Sequence, residues 1–272
     1  MLTFVPTPLG NLEDITFRAL NALKEADIVL CEDTRVARKL LKLLAQKLEM
    51  SFGDKEFVSF HEHNQRDFLK KISPGFFSKN VVYMSDAGMP GISDPGSELV
   101  AYAQEHGIPY TVLPGPTAFV TAYVASGFGS REFCFFGFLP HKGKERSEAL
   151  RKILEQKSDA ILYEAPHRLL RLLEEIVSID PNRELFLAKE LTKMHERYYK
   201  GSAAELLKRF QSDSIKGEWV VVIRGSLEMP KELRLTQKDI LALPLPKKEK
   251  AKLLARISDK SVKEWYATLN DS

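Results

Sequence analysis

Cysteine is scarce in this chain. Its 272 residues include two, Cys31 and Cys134, too few for a disulfide framework. Both sit in apolar, strand-like runs and are expected as reduced, buried thiols in a cytosolic protein. Long apolar runs are also missing, and none approaches the ~18 residues that span a bilayer. The opening Met1-Leu2-Thr3-Phe4-Val5-Pro6 lacks a basic n-region, so no secretory signal is expected. Charge of neither sign is in large excess: 40 Lys and Arg face 37 Asp and Glu, a net of +3. That excludes an acidic disordered chain and a bulk-basic coat protein. It leaves room for a nucleic-acid enzyme, since a local basic patch holds phosphates. No G-x-G-x-x-G follows the first apolar run and no G-x-x-x-x-G-K-[ST] occurs, so a dinucleotide or nucleoside triphosphate is not the leading ligand. Internal repeats and low-complexity tracts are absent as well.

The composition that remains, 44% hydrophobic and 28% charged, is that of a globular protein. Its length suits about two domains. Charge is uneven along the chain. Residues 230–272 hold ten Lys and Arg against six Asp and Glu, a net of +4, while residues 1–229 sum to −1. The basic surplus therefore lies in the last sixth of the sequence, either on a solvated helical surface or on a small module that touches a phosphate backbone.

Apolar runs at 2–6, 28–31, 57–60, 81–84 and 110–113 read as strands. Between them lie helical patterns at 16–26, 35–44, 64–72 and 97–106, which implies βαβ units and a mostly parallel sheet. A helix is expected over 117–125, then a break at 127–130 taken as the interdomain linker. Beyond it, strands are expected at 133–138, 160–163, 184–190, 197–200 and 218–224, and helices up to about 156, at 167–177 and at 203–210. A polar loop over 141–146 carries Lys142, Lys144 and Arg146. Fewer helices per strand point to a mixed sheet. The expected division is an N-terminal parallel α/β domain (1–116), a mixed-sheet α/β domain (117–229) and a basic helical tail (230–272) of two or three short helices.

Ligands of open α/β sheets bind at the carboxyl ends of the strands. Three Gly- and Pro-dense loops lie there: 6–12, 85–96 and 114–118. Glycine lets backbone approach a ligand and proline fixes loop shape. The 85–96 loop carries two carboxylates, Asp86 and Asp94, among small residues. Asp86 at a strand end suits hydroxyl or amine groups better than phosphate, which it repels. His61 and His63, two apart on an extended segment, share a face and suit Zn²⁺. No further ligand pattern accompanies them, so no metal is expected.

Several segments resemble the ribosomal RNA small subunit methyltransferase I family. They are Thr7-Pro8-Leu9-Gly10-Asn11-Leu12-Glu13-Asp14-Ile15, Cys31-Glu32-Asp33-Thr34-Arg35, Ser59-Phe60-His61-Glu62-His63-Asn64, the 85–96 loop, Pro114-Gly115-Pro116-Thr117-Ala118, Tyr163-Glu164-Ala165-Pro166-His167-Arg168 and Lys189-Glu190-Leu191-Thr192-Lys193. They stand in order and at similar spacing across residues 3–225. The resemblance implies the tetrapyrrole methylase fold, an α/β class III methyltransferase with S-adenosylmethionine in a cleft between two domains. It also implies 2′-O-methylation of a cytidine ribose in the decoding region of 16S rRNA, a homodimer, a cytoplasmic location and no membrane. The chain departs from the family at Met89 (usually Thr) and at Thr117 and Ala165 (commonly Ser), so Met89 is given no polar role. The tail is only loosely similar.

By that resemblance the cofactor cleft takes Pro8, Leu9, Gly10, Asp86, Gly88, Met89, Ile92, Thr117, Ala118, Tyr163, Leu187, Ala188, Lys216 and Gly217. Methyl transfer from a sulfonium needs alignment of the attacking oxygen and an acceptor for its proton. His61, Glu62, His63, Glu32, Glu190 and a neutral Lys189 are all candidates, unranked. Glu32 and His61 follow strands and so lie on the same sheet edge as the loops. Arg35, Arg38, Lys39, Lys142, Lys144, Lys189, Lys193 and the tail lysines are candidate phosphate contacts. Two other functions fit the same residues: methylation of a corrin precursor, and a ribosome-assembly factor that binds RNA without catalysis.

Overall fold

The computed structural model describes residues 1–226, 236–258 and 260–270. Residues 1–226 form one compact unit, and the tail belongs to a second.

The first half of the large unit builds one parallel sheet from β1 (Leu2–Val5), β2 (Ile28–Cys31), β3 (Glu56–Ser59), β4 (Val81–Met84) and β5 (Tyr110–Val112). The strand order is β3-β2-β4-β1-β5. The three central strands are buried at every residue, as expected of parallel strands covered on both faces. Helices α1 (Phe17–Glu25) and α2 (Thr34–Leu48) cover one face, packing Leu20, Leu23, Leu41 and Leu44 on Val5, Val29 and Val82. Helices α3 (Gln65–Lys71) and α4 (Gly96–Glu105) flank the other, where Leu99 and Tyr102 meet Phe4, Leu30 and Tyr83. Each crossover helix starts on a sequence-encoded signal where one exists. Thr16 accepts from the Ala19 N–H and Asp33 from the Arg35 N–H, which satisfies donors that the first helical turn leaves open.

Helix α5 (Ala118–Ser126) leads to a second sheet. Its strands are β6 (Phe133–Phe138), β7 (Asp159–Glu164), β8 (Glu184–Lys189), β9 (Arg197–Ser202) and β10 (Trp219–Ile223), in the order β6-β7-β10-β8-β9. Only β6 and β7 run parallel; the other pairs are antiparallel. Helices α6 (Gly143–Leu154), α7 (Pro166–Ile179) and α8 (Ala203–Phe210) bury one face, and α5 lies on the other. The fold is thus the expected α/β pair of sheets, one parallel and one mixed.

Three expectations need correction. The 127–130 stretch is not a free linker: Gly127 closes α5 in a left-handed conformation, and Phe128 is buried with α5 against the second sheet. Cys134 is exposed rather than buried, because β6 is an edge strand. Arg146 does not sit in a polar loop. It lies inside α6 on the buried stripe with Leu150, Ile153 and Leu154, and its side chain is 0% exposed.

In the tail unit, α9 (Gln237–Ala242), α10 (Lys247–Arg256) and α11 (Val262–Asn270) share a small core of Ile240, Ala251, Leu254, Trp265 and Leu269. The Trp265 indole donates to Ser258 Oγ at 2.7 Å. No helix among the described residues is long and apolar enough to cross a membrane.

Candidate active site

The three glycine- and proline-rich loops do meet on one edge of the first sheet. The loops after β1 and β4 are knitted by a two-hydrogen-bond bridge, Thr7 N–H to Gly88 O at 2.9 Å and Gly88 N–H to Thr7 O at 3.1 Å. Gly88 adopts φ +85°, and a Cβ there would sit 3.1 Å from the Leu9 side chain, so glycine is what lets the two loops close up. Asp94 organises the rest of the second loop. Its Oδ1 accepts from Tyr83 Oη (2.9 Å), Gly91 N–H (2.8 Å) and Gly96 N–H (2.8 Å). Asp94 is therefore engaged in shaping the loop. In the third loop Gly115 packs on the Pro6 ring, where a Cβ would collide.

Facing these loops is a wall from the second sheet. Between them lies a cavity of about 460 Å³, within the range of small-molecule sites. The first-sheet side contributes Leu9, Glu32, Asp86, Gly88, Met89 and Ile92, and Thr117 and Ala118 follow from the β5–α5 turn. The second-sheet side contributes Phe138, Tyr163 to Pro166, Ala188, Leu191 and Glu218 to Val220. Most of this lining is apolar, with Glu32, Asp86 and Asp94 on the first-sheet side and Glu164 and Glu218 on the second. Burial raises the pKa of Glu32 and Asp86 above the usual carboxylate range. The two turns lock each other: Asp86 N–H donates to Glu32 Oε1 at 3.3 Å, and Asp33 N–H donates to Asp86 Oδ1 at 3.3 Å.

Behind the second wall is a buried ion network. Glu164 is paired with Arg146 (3.3 Å) and Arg168 (3.0 Å), and Arg146 also reaches Glu175 at 2.8 Å. Both arginines donate to the Pro140 carbonyl. The segment Tyr163 to Arg168 is thereby clamped to the end of β6, where Phe138 lines the cavity.

A strap crosses from the second sheet to the first. Asn11 N–H donates to Thr192 Oγ1 at 3.1 Å, and Gly10 packs against Lys193. Glu190 and Thr192 both take left-handed φ values, 52° and 62°, an unusual conformation for a β-branched residue. Glu190 Oε1 accepts from Glu218 N–H (2.8 Å) and Lys193 Nζ (3.1 Å). Burial alone would raise its pKa; these partners outweigh burial and leave it lowered.

Of the residues expected at the cofactor, Leu9, Asp86, Gly88, Met89, Ile92, Thr117, Ala118, Tyr163 and Ala188 come together on the cavity. Pro8, Gly10, Lys216 and Gly217 do not line it. Leu187 cannot: it is next to Ala188 on a strand, so it points to the opposite face and is buried in the core beneath α7. Of the proton-acceptor candidates only Glu32 lines the cavity. Lys189 donates to the Ser214 carbonyl and lies over the Trp219 ring, Glu190 is paired, Glu62 is exposed, and His61 sits after the edge strand with its backbone N–H on Asn64. No cluster of three metal-ligating side chains occurs among the described residues. Among phosphate candidates, Arg35 pairs with Asp33 (2.6 Å), Arg38 stacks over Phe57, and Lys144 reaches Glu148 at 3.6 Å. Lys142 is exposed, and Lys193 is committed to Glu190 and Glu218. Sequence reasoning did not place Phe138, Leu191 and Trp219 at the site: Phe138 and Trp219 stand in expected strands, and Leu191 lies in a segment that carries the family resemblance.

A family model described as tetrapyrrole (corrin/porphyrin) methylases matches residues 1–207. A Helicobacter pylori protein named ribosomal RNA small subunit methyltransferase I is 47% identical, over 98% of this chain and 96% of its own. The chain belongs to that methyltransferase family. A Thermotoga maritima member with the same name is 41% identical over 82% of this chain and 98% of its own. Among solved structures, uroporphyrin-III C-methyl transferase from Thermus thermophilus, in complex with S-adenyl homocysteine, has the same fold. It aligns with a TM-score of 0.55 at 17% identity, over 81% of this chain and 96% of that one.

Proposed function

We propose that this chain transfers a methyl group from S-adenosylmethionine to the ribose 2′-hydroxyl of a cytidine in the decoding region of 16S rRNA. The near-full-length identity to family members named for small-subunit rRNA carries this reading. The cavity fits the cofactor. Its apolar walls at Leu9, Met89, Ile92, Tyr163 and Ala188 suit an adenine and a methylene chain, the bare backbone at Gly88 leaves room for close approach, and Asp86 offers an acceptor for amine or hydroxyl groups. S-adenosylmethionine supplies an already activated methyl group when bound, so no electron carrier is required. The protein's part is to hold the ribose oxygen in line and to take its proton.

The test uses purified protein, labelled S-adenosylmethionine and small subunits from a strain lacking the gene. Label is expected in 16S rRNA at one linkage that resists alkaline cleavage, the signature of a blocked 2′-hydroxyl. A folded, cofactor-binding protein that leaves the rRNA unlabelled overturns the proposal.

Gly88→Val is expected to cut cofactor affinity by at least about tenfold, since a branched side chain at φ +85° costs of order 1–3 kcal/mol and crowds Leu9. Calorimetry with S-adenosylmethionine checks this, with circular dichroism to confirm the fold.

We assign RNA contact to the exposed cations of α2 and of the tail. The family model ends at residue 207, ahead of the tail, which supports reading the tail as an appendage to the catalytic unit. Replacing the exposed Lys247, Lys248 and Lys263 with glutamine should leave cofactor binding unchanged. It should also flatten the salt dependence of RNA binding by about one unit of slope for each phosphate no longer neutralised. An unchanged salt slope returns the tail to a structural role. A cytoplasmic homodimer fits the same reading, and the exposed Val120, Val124 and Phe133 of α5 and β6 support a second copy.

A further inference from the structure

We infer that Glu32 accepts the proton of the hydroxyl that becomes methylated. The inference rests on the proposed rRNA methyltransfer and names the group that completes it. As the new O–C bond forms, the O–H bond breaks and its proton passes to Oε2 of Glu32, which becomes a neutral carboxylic acid. The oxygen keeps the electron pair of the O–H bond, and the S–CH₃ bond of the methyl donor breaks with its pair left on the sulfur.

Position singles out Glu32. A proton acceptor must face the methyl donor on one side and the RNA on the other. Strand β2, which carries Glu32 at its end, lies between β4 and the edge strand β3. The β4 loop forms one wall of the cavity. Helix α2 begins two residues after Glu32 and exposes Arg35, Arg38 and Lys39, cations on which a sugar–phosphate backbone can rest. Glu32 thus stands where the cavity meets the basic helix. The acidic pair Glu32 and Asp86 disfavours a phosphate there and leaves a neutral ribose as the fitting part of the RNA.

Orientation is also built in. The Asp86 N–H fixes Oε1 at 3.3 Å, and Asp33 N–H fixes Asp86 in return, so one carboxylate oxygen of Glu32 is anchored. Among the described residues no cation pairs with Glu32, unlike Glu190, which Lys193 neutralises. The ionisable groups acting on Glu32 are Asp86 and Asp94 from the β4–α4 loop, with Tyr83 on β4 and Cys31 on its own strand behind it. Burial is the main cause that raises its pKa, the Asp86 N–H opposes it, and the two aspartates add to it. A raised pKa makes the ionised form a stronger base. The ionised form is required, so kcat/KM should fall as pH drops through a midpoint above the ordinary glutamate value.

The experiment compares wild type with Glu32→Gln, an isosteric change at a half-buried position. Calorimetry reads S-adenosylmethionine affinity, carboxyl NMR of ¹³C-glutamate-labelled protein reads titration, and single-turnover labelling of small subunits reads the rate against pH. Glu32→Gln should keep the wild-type cofactor affinity, lose one glutamate signal that titrates above the ordinary range, and slow methyl transfer about 10²–10⁴-fold with the acidic limb of the profile gone. Glu32→Asp should recover part of the rate. If Glu32→Gln transfers methyl within about tenfold of wild type, Glu32 is not the acceptor while the rRNA reading stands. Loss of cofactor affinity in Glu32→Gln also overturns the assignment, in favour of a cofactor contact. If wild type binds the cofactor and leaves rRNA unlabelled, both readings fall together.

Discussion

Arg146→Ala should destabilise the folded chain by about 3–5 kcal/mol, the usual loss when one partner of a buried ion pair is removed. The guanidinium is 0% exposed and divides its donors among Glu175 (2.8 Å), Glu164 (3.3 Å) and the Pro140 carbonyl (3.2 Å). Without it the Glu164 carboxylate, 1% exposed, keeps Arg168 and the Ala165 N–H among the described residues. Arg146→Lys should recover little, because an ammonium cannot serve three acceptors spread around a planar fork. Arg146→Met separates packing from charge: it fills the volume yet leaves Glu164 under-compensated. Urea denaturation measures the loss. A midpoint equal to wild type in the alanine variant would show that the network contributes nothing net. The same variant should bind S-adenosylmethionine weakly, since Glu164 to Pro166 form part of the cavity wall that Arg146 holds.

Asp94→Ala should disable the cleft from the opposite side. Its carboxylate collects Tyr83 Oη, Gly91 N–H and Gly96 N–H at 2.8–2.9 Å. Hydrogen bonds to a charged acceptor contribute about 1.5–3 kcal/mol each, so a loss of roughly 3 kcal/mol or more is expected after partial rehydration of the loop. Met89 and Ile92 ride on that loop, and Ser93 is held at φ 65° between them and Asp94. Cofactor affinity should therefore fall by more than about tenfold, where 1.4 kcal/mol is one decade. Asp94→Asn, which keeps an acceptor oxygen, should fall between. Calorimetry and urea denaturation measured on the same preparations decide the matter. Wild-type affinity in Asp94→Ala would mean that the loop is shaped by its glycines and prolines alone.

These two residues also show what the sequence can and cannot reveal. Strands and crossover helices were legible because parallel strands are unbroken apolar runs and helices carry a stripe of period 3.6. The same stripe hides Arg146. It occupies the buried face of α6 with Leu150 and Ile153, but its acidic partners lie 18 and 29 residues further along, a distance no local pattern spans. Cys134 misled in the opposite sense. Its run is apolar, yet exposure depends on β6 being an edge strand, which is a property of topology. At the cavity, the loops of the first sheet carry their own Gly and Pro signals, while the choice of Leu9, Gly88, Met89 and Ile92 within them came from the family resemblance. The second wall is assembled from ordinary strand residues. Which of Leu187 and Ala188 faces inward depends on strand phase, and Phe138 and Trp219 reach the cavity only through the way the sheets face each other. Glu32 could be named as a candidate from its place after a strand, but its separation from His61, Glu62, Lys189 and Glu190 required three dimensions.

The placement of β1 has a kinetic consequence. Strand β1 precedes both of its partners in the chain yet lies inside the sheet: Leu2 pairs with Val81 on one side and with Tyr110 on the other. Contacts of such long sequence separation form slowly, because the intervening chain must first be gathered in. During translation Leu2, Phe4 and Val5 emerge early and wait, with their apolar faces uncovered, until more than a hundred further residues have followed. An exposed segment of this kind is where misassociation begins. A nascent-chain series stopped before and after β5 should show protease protection of β1 appearing abruptly, once β5 has cleared the tunnel. Strand β1 thus leaves a ribosome well before either of the strands that enclose it.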